Sequence, residues 1–324
     1  MNLLILSCGT RNKLISFFKE SGFDKIVVTD CSELAPALYV ADKYYIVPRM
    51  KEPGYLDEIL AICDREEINA VLPLQEDELH LIAEERERFL EKGIVPVVSQ
   101  LQTIDLCRDK MKFYHYLKEV GISVLPSYDK AEAFQKAYAV GEESFPVFVK
   151  PVCGAGSIGA MKVNSMELLL ALVKESEEPL MIQQLSKGRE YGADVYVDLN
   201  SGKVTDIFLK EKIRMRAGET EKSVSVIKKE IFELIQRTVQ QFSFAGPVDM
   251  DIFESDGTLY VSEINPRFGG GYPHAYACGI SFPERLLNNL RGMENEDRIG
   301  AYEEGVYVMK YSDIVVRSRY EINV

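Results

Sequence analysis

Oxygen-bearing side chains recur at short intervals near the C-terminal end: Asp249, Asp251, Glu263 and Asn265. Strand-like runs flank Ser255-Asp256-Gly257, which predicts a β-hairpin turning at that tripeptide. A hairpin centred on Gly257 sets Asp251 opposite Glu263 and Asp249 opposite Asn265, and the period of two in strands puts all four on one face. Opposed carboxylates with Cβ atoms ~4.5–5.5 Å apart repel, so the cluster needs a cation or a raised pKa to persist. Oxygen-only ligands suit Mg2+ or Mn2+, whose remaining positions go to waters and nucleotide phosphates. A solvated hairpin face has the same spacing. Pro266-Arg267 and the glycine run 269–271 favour the metal reading, because they set a fixed guanidinium fork beside the acids.

A second set of residues suits phosphate. Phe145 to Pro151 reads as a strand ending in Lys150, and Gly154, Gly156, Ser157 and Gly159 follow. Glycines let backbone N–H groups approach phosphate oxygens. The letters spell G-x-G-x-x-G, but that dinucleotide fingerprint requires a helix next, and Ala160 to Val163 reads as a strand. The loop is therefore read as a hairpin tip closing over a triphosphate, with Lys150 supplying charge; a Rossmann site and a plain structural turn are the alternatives. Lys210 to Gly218 is the densest positive stretch. It is read either as a solvated loop or as an oxyanion site in which Arg214 and Arg216 offer planar forks. His274 is the histidine nearest this chemistry, as a neutral base or as a satisfied structural residue.

The elements that must position these groups follow an α/β order. Strands Leu3 to Ser7, Lys25 to Thr29, Lys43 to Val47, Ala70 to Pro73 and Val95 to Val98 alternate with helices Leu14 to Ser21, Tyr55 to Glu66 and Asp77 to Lys92. This alternation predicts a Rossmann-like parallel lobe. Asp30, closing the second strand, could be a ribose-binding acid, yet the first turn, Ser7 to Asn12, lacks the glycines of a dinucleotide site. Further on, a helix runs from Lys112 to Val120, another from Ser165 to Ser176 with Asn164 or Ser165 as cap, and a third from Lys228 to Gln241 with an inward apolar stripe. Gly305 to Val324 reads as two edge strands.

Composition bounds the rest. The chain has 324 residues, 46% apolar and 10% aromatic, enough for two or three lobes with cores of their own. A net charge of −13, from 51 acidic and 38 basic residues, argues against nonspecific nucleic-acid binding. Six scattered cysteines without a C-x-x-C pair read as reduced thiols of a cytoplasmic protein. The N-terminal apolar run lacks the flanks of a signal peptide, and no apolar run reaches the ~18 residues of a membrane span.

Glu263-Ile264-Asn265-Pro266-Arg267 resembles the E-x-N-P-R signature of ATP-grasp ligases, and Asp251 precedes Glu263 by the interval of the first metal-binding acid in biotin-carboxylase-like members. The stretch is also similar to the carbamoyl-phosphate synthetase large subunit, where the first ligand is usually Gln; Asp249 is a second candidate for that role. The resemblance extends to the strand and glycine loop after Lys150, to Asp109-Lys110 at the start of the nucleotide lobe, and to a hinge at Gln183-Gln184-Leu185 followed by Glu190. It implies an α/β N-terminal lobe at 1–108, a lid subdomain at 109–184 and an α+β C-terminal subdomain with the metal site at 185–324. It further implies ATP and Mg2+ as cofactors, with Lys110 and Lys150 on the phosphates, adenine at the hinge, ribose at Glu190, and metal at Asp251, Glu263 and Asn265. Lys150 and Arg267 would absorb charge as a carboxylate attacks the γ-phosphate and an amine or ammonia then displaces phosphate. The catalytic Glu that biotin carboxylases place four residues after the Arg is Gly271 here, so their bicarbonate chemistry does not carry over. Carboxylate and amine substrates are the expected partners, a homodimer is compatible, and one module of a synthetase large subunit is the expected extent. An NAD(P)-binding oxidoreductase and a non-catalytic ATP-binding module are the competing readings.

Overall fold

The computed structural model describes residues 1–154, 159–216 and 218–318. Strands Asn2–Leu6 (β1), Lys25–Asp30 (β2), Lys43–Ile46 (β3), Ala70–Pro73 (β4) and Val95–Pro96 (β5) form a parallel sheet in the order β3-β2-β1-β4-β5. Leu3, Leu4, Ile5 and Leu6 are all fully buried, because both faces of the sheet are covered. Leu3 and Ile5 pack with Ile15 and Phe18 of the helix Asn12–Glu20, while Leu4 and Leu6 pack with Ile59 and Ile62 of the helix Tyr55–Arg65. The segment 77–92, expected as one helix, is two, Glu76–Glu84 and Arg86–Leu90, separated at Glu85. The strand order reverses between β1 and β4, so the turns after these two strands flank one crevice, where open parallel sheets take ligands.

A smaller antiparallel sheet follows: Ser127–Tyr128 (β6), Val147–Pro151 (β7), Met161–Val163 (β8) and Leu180–Gln184 (β9), ordered β6-β9-β7-β8. Val147, Val149 and Ile182 point toward the helices Ala131–Ala139 and Met166–Glu175, contacting Phe134 and Leu169. Ser165 caps the second of these helices, accepting from the Leu168 N–H at 3.3 Å. The alternate residues Phe148 and Lys150 occupy the other face of the sheet, toward a cleft.

The opposite wall of the cleft is a larger antiparallel sheet of Arg189–Val197 (β10), Val204–Arg216 (β11), Glu219–Ser225 (β12), Gly246–Ser255 (β13), Thr258–Asn265 (β14) and Tyr307–Met309 (β15), ordered β14-β13-β10-β11-β12-β15. One face is covered by the helix Lys229–Val239 through Ile231, Leu234 and Ile235. The other face is divided. Tyr196 and Phe208 join the core of the parallel lobe, together with Phe268, Tyr272 and Phe282, and the remainder of the face is polar and lines the cleft. Two expectations are corrected here. The basic stretch at 210–216 is strand, not loop, and of the described part of 305–318 only Tyr307–Met309 is strand; 319–324 lie outside the described residues. Among the described residues no helix is long and apolar enough to cross a membrane.

Entry into β10 depends on Gly188, where a Cβ would lie 1.7 Å from the carbonyl oxygen of Glu254 on β13. Gly188→Ala must therefore push the two strands apart. The expected cost is about 1–3 kcal/mol, read as a lower urea midpoint with an unchanged slope.

Candidate active site

The hairpin sets Asp251 opposite Glu263 and Asp249 opposite Asn265, the pairs expected, but reaches them differently. Its turn has two residues, Asp256 and Gly257, with φ of 50° and 74°, as a type I′ turn requires. That turn pairs Ser255 with Thr258 and Ile252 with Val261; continued without interruption it would set Asp251 opposite Ser262 and turn Glu263 toward the core. A bulge at Ser262 restores the face. Its signature is that Val261 and Ile264, three residues apart, are both buried in the core.

Adjacent strands extend the cluster. On β10, Asp194 lies opposite Asp249 and Gly192 opposite Asp251. On β11, Lys210 forms a buried ion pair with Asp194, and Lys212 reaches Asp251 at 2.6 Å and Glu190 at 2.8 Å. Burial works against the charge of Lys212, yet Asp251 and Glu190 together raise its pKa. Asp249 is pushed up to about 6 by burial and by the neighbouring charges of Asp251 and Asp194. The cluster thus persists through two lysines and one weakened acid.

The glycines are part of this packing. A Cβ at Gly192 would lie 3.1 Å from Lys212 Cε and 3.2 Å from Lys210 Cε. Cβ atoms at Gly269, Gly270 and Gly271 would approach Asp249 Oδ1 to 2.3 Å, Glu219 Cδ to 2.8 Å and Lys210 Cε to 2.6 Å. The run 269–271 is a close-fitted path over the charged groups, not the flexible segment its composition implies.

Across the cleft, Lys150 is 9% exposed and makes no side-chain hydrogen bond or ion pair with a described residue. Burial lowers its pKa, against the pull of Glu263. Lys110 donates to the Gly154 carbonyl at 2.7 Å, at the base of the glycine loop. Gly156 and Ser157 lie outside the described residues. The parallel lobe closes the third side with Arg11, Gln75 and Glu76, giving a cleft of about 430 Å³. Arg267 is fixed there by Glu76 at 3.0 Å and by the Phe268 carbonyl at 3.1 Å. Glu76 carries no sequence signal for this role, since its partner is 191 residues away.

Five expected side chains, those of Gln183, Gln184, Arg214, Arg216 and His274, stand elsewhere. Gln183 faces the same way as Lys150, but its amide is buried and donates to Ser127 Oγ at 3.1 Å. Gln184 alternates to the opposite face, so its side chain does not share the Lys150 face; it and Leu185 are half-buried where β9 leaves the small sheet. Arg214 and Arg216 are exposed and pair with Glu221 at 2.9 Å and 3.5 Å. A register shift between Lys212 and Arg214 turns them from the face that Lys210 and Lys212 occupy, so these lysines are the basic contribution of β11 to the cleft. His274 is 1% exposed; its Nε2–H donates to the Val306 carbonyl at 3.0 Å, leaving Nδ1 to accept from Ser223 Oγ at 2.8 Å. Both nitrogens are committed, so it is a structural residue and not a proton acceptor.

Among the described residues no three His, Cys, Asp or Glu side chains form a ready-made metal cage. Glu263 makes no side-chain hydrogen bond or ion pair with a described residue, Asn265 Oδ1 is without a described donor, and Asp251 is held by Lys212. Two carboxylates and one amide oxygen fit an ion that keeps most of its shell for waters and phosphates, as Mg2+ does, and do not fit zinc. The dinucleotide reading gains no support, because Asp30 accepts from the Gly9 N–H at 2.8 Å and the Ser32 N–H at 3.0 Å, tying the turn after β1.

The profile of the ATP-grasp domain matches residues 107–271, just over half of the chain, and that of the PylC-like N-terminal domain matches residues 3–98. The chain belongs to the ATP-grasp family. It is 25% identical over 313 residues to the carbamoyl phosphate synthase arginine-specific large chain of Geobacillus stearothermophilus, which covers 91% of this chain and 29% of that one. The chain therefore spans under a third of this relative's length. N5-carboxyaminoimidazole synthetase from Staphylococcus aureus superposes with a TM-score of 0.72 at 21% identity, over 91% of this chain and 78% of that one. The biotin carboxylase domain of Hydrogenobacter thermophilus 2-oxoglutarate carboxylase, solved with MgADP and bicarbonate, gives 0.75 at 18% identity, over 94% and 73%.

Burial, followed by the nearby charge of Lys210, lowers the pKa of His274 to about 4 from its usual 6.5. A depressed folded-state pKa means that the unfolded chain takes up the proton first as pH falls, so the stability this histidine contributes is complete above pH 6.5 and is lost toward pH 4. The stability difference between the wild type and His274→Asn should shrink by up to ~3 kcal/mol over that window, measured by urea denaturation at each pH.

Proposed function

We propose that this chain is an ATP- and Mg2+-dependent ligase that joins a carboxylate to an amine or ammonia through an acyl phosphate. The observation that carries the reading is the pairing of Asp251 with Glu263 on one wall of the cleft, with Lys150, which has no side-chain partner among the described residues, on the other. Asp251, Glu263 and Asn265 would hold the metal. Bound there, Mg2+ would neutralise phosphate oxygens and polarise the transferring group.

The chain's own groups supply position and charge. Lys150, already stripped of water, offers a full charge to the γ-phosphate, and Lys110 anchors the glycine loop beside it. Arg267, locked by Glu76, points a rigid fork at the oxygens on which charge develops. Lys212, paired with Asp251 and Glu190, would be a further cation within the cleft if those acids held the metal and the ribose. Adenine would lie along the main chain near Leu185, with ribose at Glu190. The family profile and the strand at Met161–Val163, where a dinucleotide site would have a helix, support this reading over an oxidoreductase. The three sheets support a division at 108 and 184 into N-terminal, lid and C-terminal parts. A homodimer is also proposed, on the likeness to the biotin carboxylase domain dimer; a monomeric mass by light scattering would refute it.

The test is phosphate release from ATP and Mg2+ across pairs of carboxylates and amines. The wild type should release phosphate with at least one pair, and Glu263→Ala should lower the rate by 100-fold or more while the urea midpoint stays close to wild type, about 2.7 kcal/mol of lost transition-state stabilisation. Nucleotide binding without phosphate release for any pair would leave a non-catalytic ATP-binding module.

A further inference from the structure

Six cations line the cleft, and four have described partners: Lys110 the Gly154 carbonyl, Lys210 Asp194, Lys212 Asp251 and Glu190, and Arg267 Glu76. The remaining two, Lys150 and Arg11, make no side-chain hydrogen bond or ion pair with a described residue. Lys150 stands on β7 of the small sheet and Arg11 on the turn after β1 of the parallel sheet, so the two line different walls of the cleft. The two therefore serve different parts of the cleft. Lys150 is accounted for by the nucleotide phosphates.

Arg11 is held in place by its backbone. It closes the turn after β1 by donating its N–H to the Cys8 carbonyl at 2.9 Å, and that turn is tied in turn by Cys8 N–H to the Thr29 carbonyl at 3.1 Å and Gly9 N–H to Asp30 at 2.8 Å. Its side chain lines the cleft together with Gly270 and Gly271, on the side where the strand order of the parallel sheet reverses. Glu219 is the acid whose charge bears most on Arg11, but its described ion pair is with Lys310 at 2.9 Å, and no described hydrogen bond or ion pair joins it to Arg11. Arg11 is half-buried, partial burial lowers its pKa, and no described residue hydrogen-bonds or ion-pairs with its side chain.

We propose that Arg11 grips an oxyanion, carboxylate or phosphate, carried by the acceptor amine, so that the second substrate is an anionic amine and not ammonia. A guanidinium fork suits two oxygens of either group. Arg11 belongs to the parallel lobe and Lys150 to the small sheet, so the position is assigned to the acceptor and the donor is left beside Lys150 and the γ-phosphate. This inference rests on the ligase reading.

Steady-state phosphate release should be compared for amino acids, amines bearing a phosphate, and their uncharged counterparts, including amino-acid amides and ammonia, in the wild type, Arg11→Met and Arg11→Lys. The wild type should prefer one anionic class. Arg11→Met should lose about 10- to 100-fold in kcat/KM for that class, through KM, with KM for ATP and for the carboxylate donor unchanged and neutral amines unaffected. Arg11→Lys should recover part of the loss, and whichever anionic class loses more identifies the group that is read. Equal losses for neutral and anionic amines, no loss, or a change confined to the donor KM would overturn the assignment. Phosphate release that ignores Arg11 sinks this inference alone; a wild type that turns over no pair at all sinks the ligase reading and this inference with it.

Discussion

Repulsion between carboxylates crowded on one face of a sheet is the constraint to which the rest of this molecule answers. Asp194, Asp249, Asp251 and Glu263 come from three neighbouring strands, and two like charges ~4 Å apart cost about 4 kcal/mol at an effective dielectric near 20. The large sheet meets that cost by running β11 alongside with lysines at alternate positions, so that Lys210 neutralises Asp194 and Lys212 bridges Asp251 and Glu190. Space for these long side chains comes from glycine: Gly192 between the lysines and Gly271 above Lys210 leave room that any Cβ would take. Breaking such a buried pair from one side leaves an uncompensated charge, which is why acids and lysines must be treated as a unit.

Two irregularities in the ladder then decide which residues belong to that unit. The bulge at Ser262 turns Glu263 and Asn265 onto the charged face, and the shift after Lys212 turns Arg214 and Arg216 off it. Neither changes the fold; each changes which way the following residues look. The cleft is completed from two other directions, by Lys150 on the small sheet and by Glu76 and Arg11 beyond the parallel strands. Charge on three walls, with Arg267 clamped between the C-terminal part and the parallel lobe, makes a site suited to holding phosphate oxygens and poor in nucleophiles.

Much of this was legible from residues. The alternation of β1 to β4 with helices follows from runs buried on both faces, and the carboxylate pairs follow from the turn signal and period two. The register was reached by assuming a symmetric turn at Gly257, whereas a two-residue turn and a compensating bulge produce it; bulges add one residue without a compositional mark, so period-two reasoning cannot see them. For the same reason Arg214 and Arg216 looked like partners of Lys210 and Lys212 in one basic patch. The composition of the triple glycine reports freedom and not crowding, whereas three close contacts set the requirement here. Glu76 and Arg11 escape notice because their roles depend on tertiary approach across the whole chain, and the two readings of His274 stay open in the sequence because its hydrogen-bond partners come from β12 and a distant loop.

One of the two cores of the parallel lobe is shared with the rest of the chain. Tyr196, Phe208, Phe268, Tyr272 and Phe282 pack with Leu3, Ile5, Ile15 and Phe18 in one continuous cluster. Separating the first hundred residues from the remainder would uncover a broad aromatic surface on both pieces, and such surfaces seek partners. The portion carrying the acids and lysines is thus no autonomous cassette: grafting or shuffling it between proteins would require the matching apolar underside to travel with it.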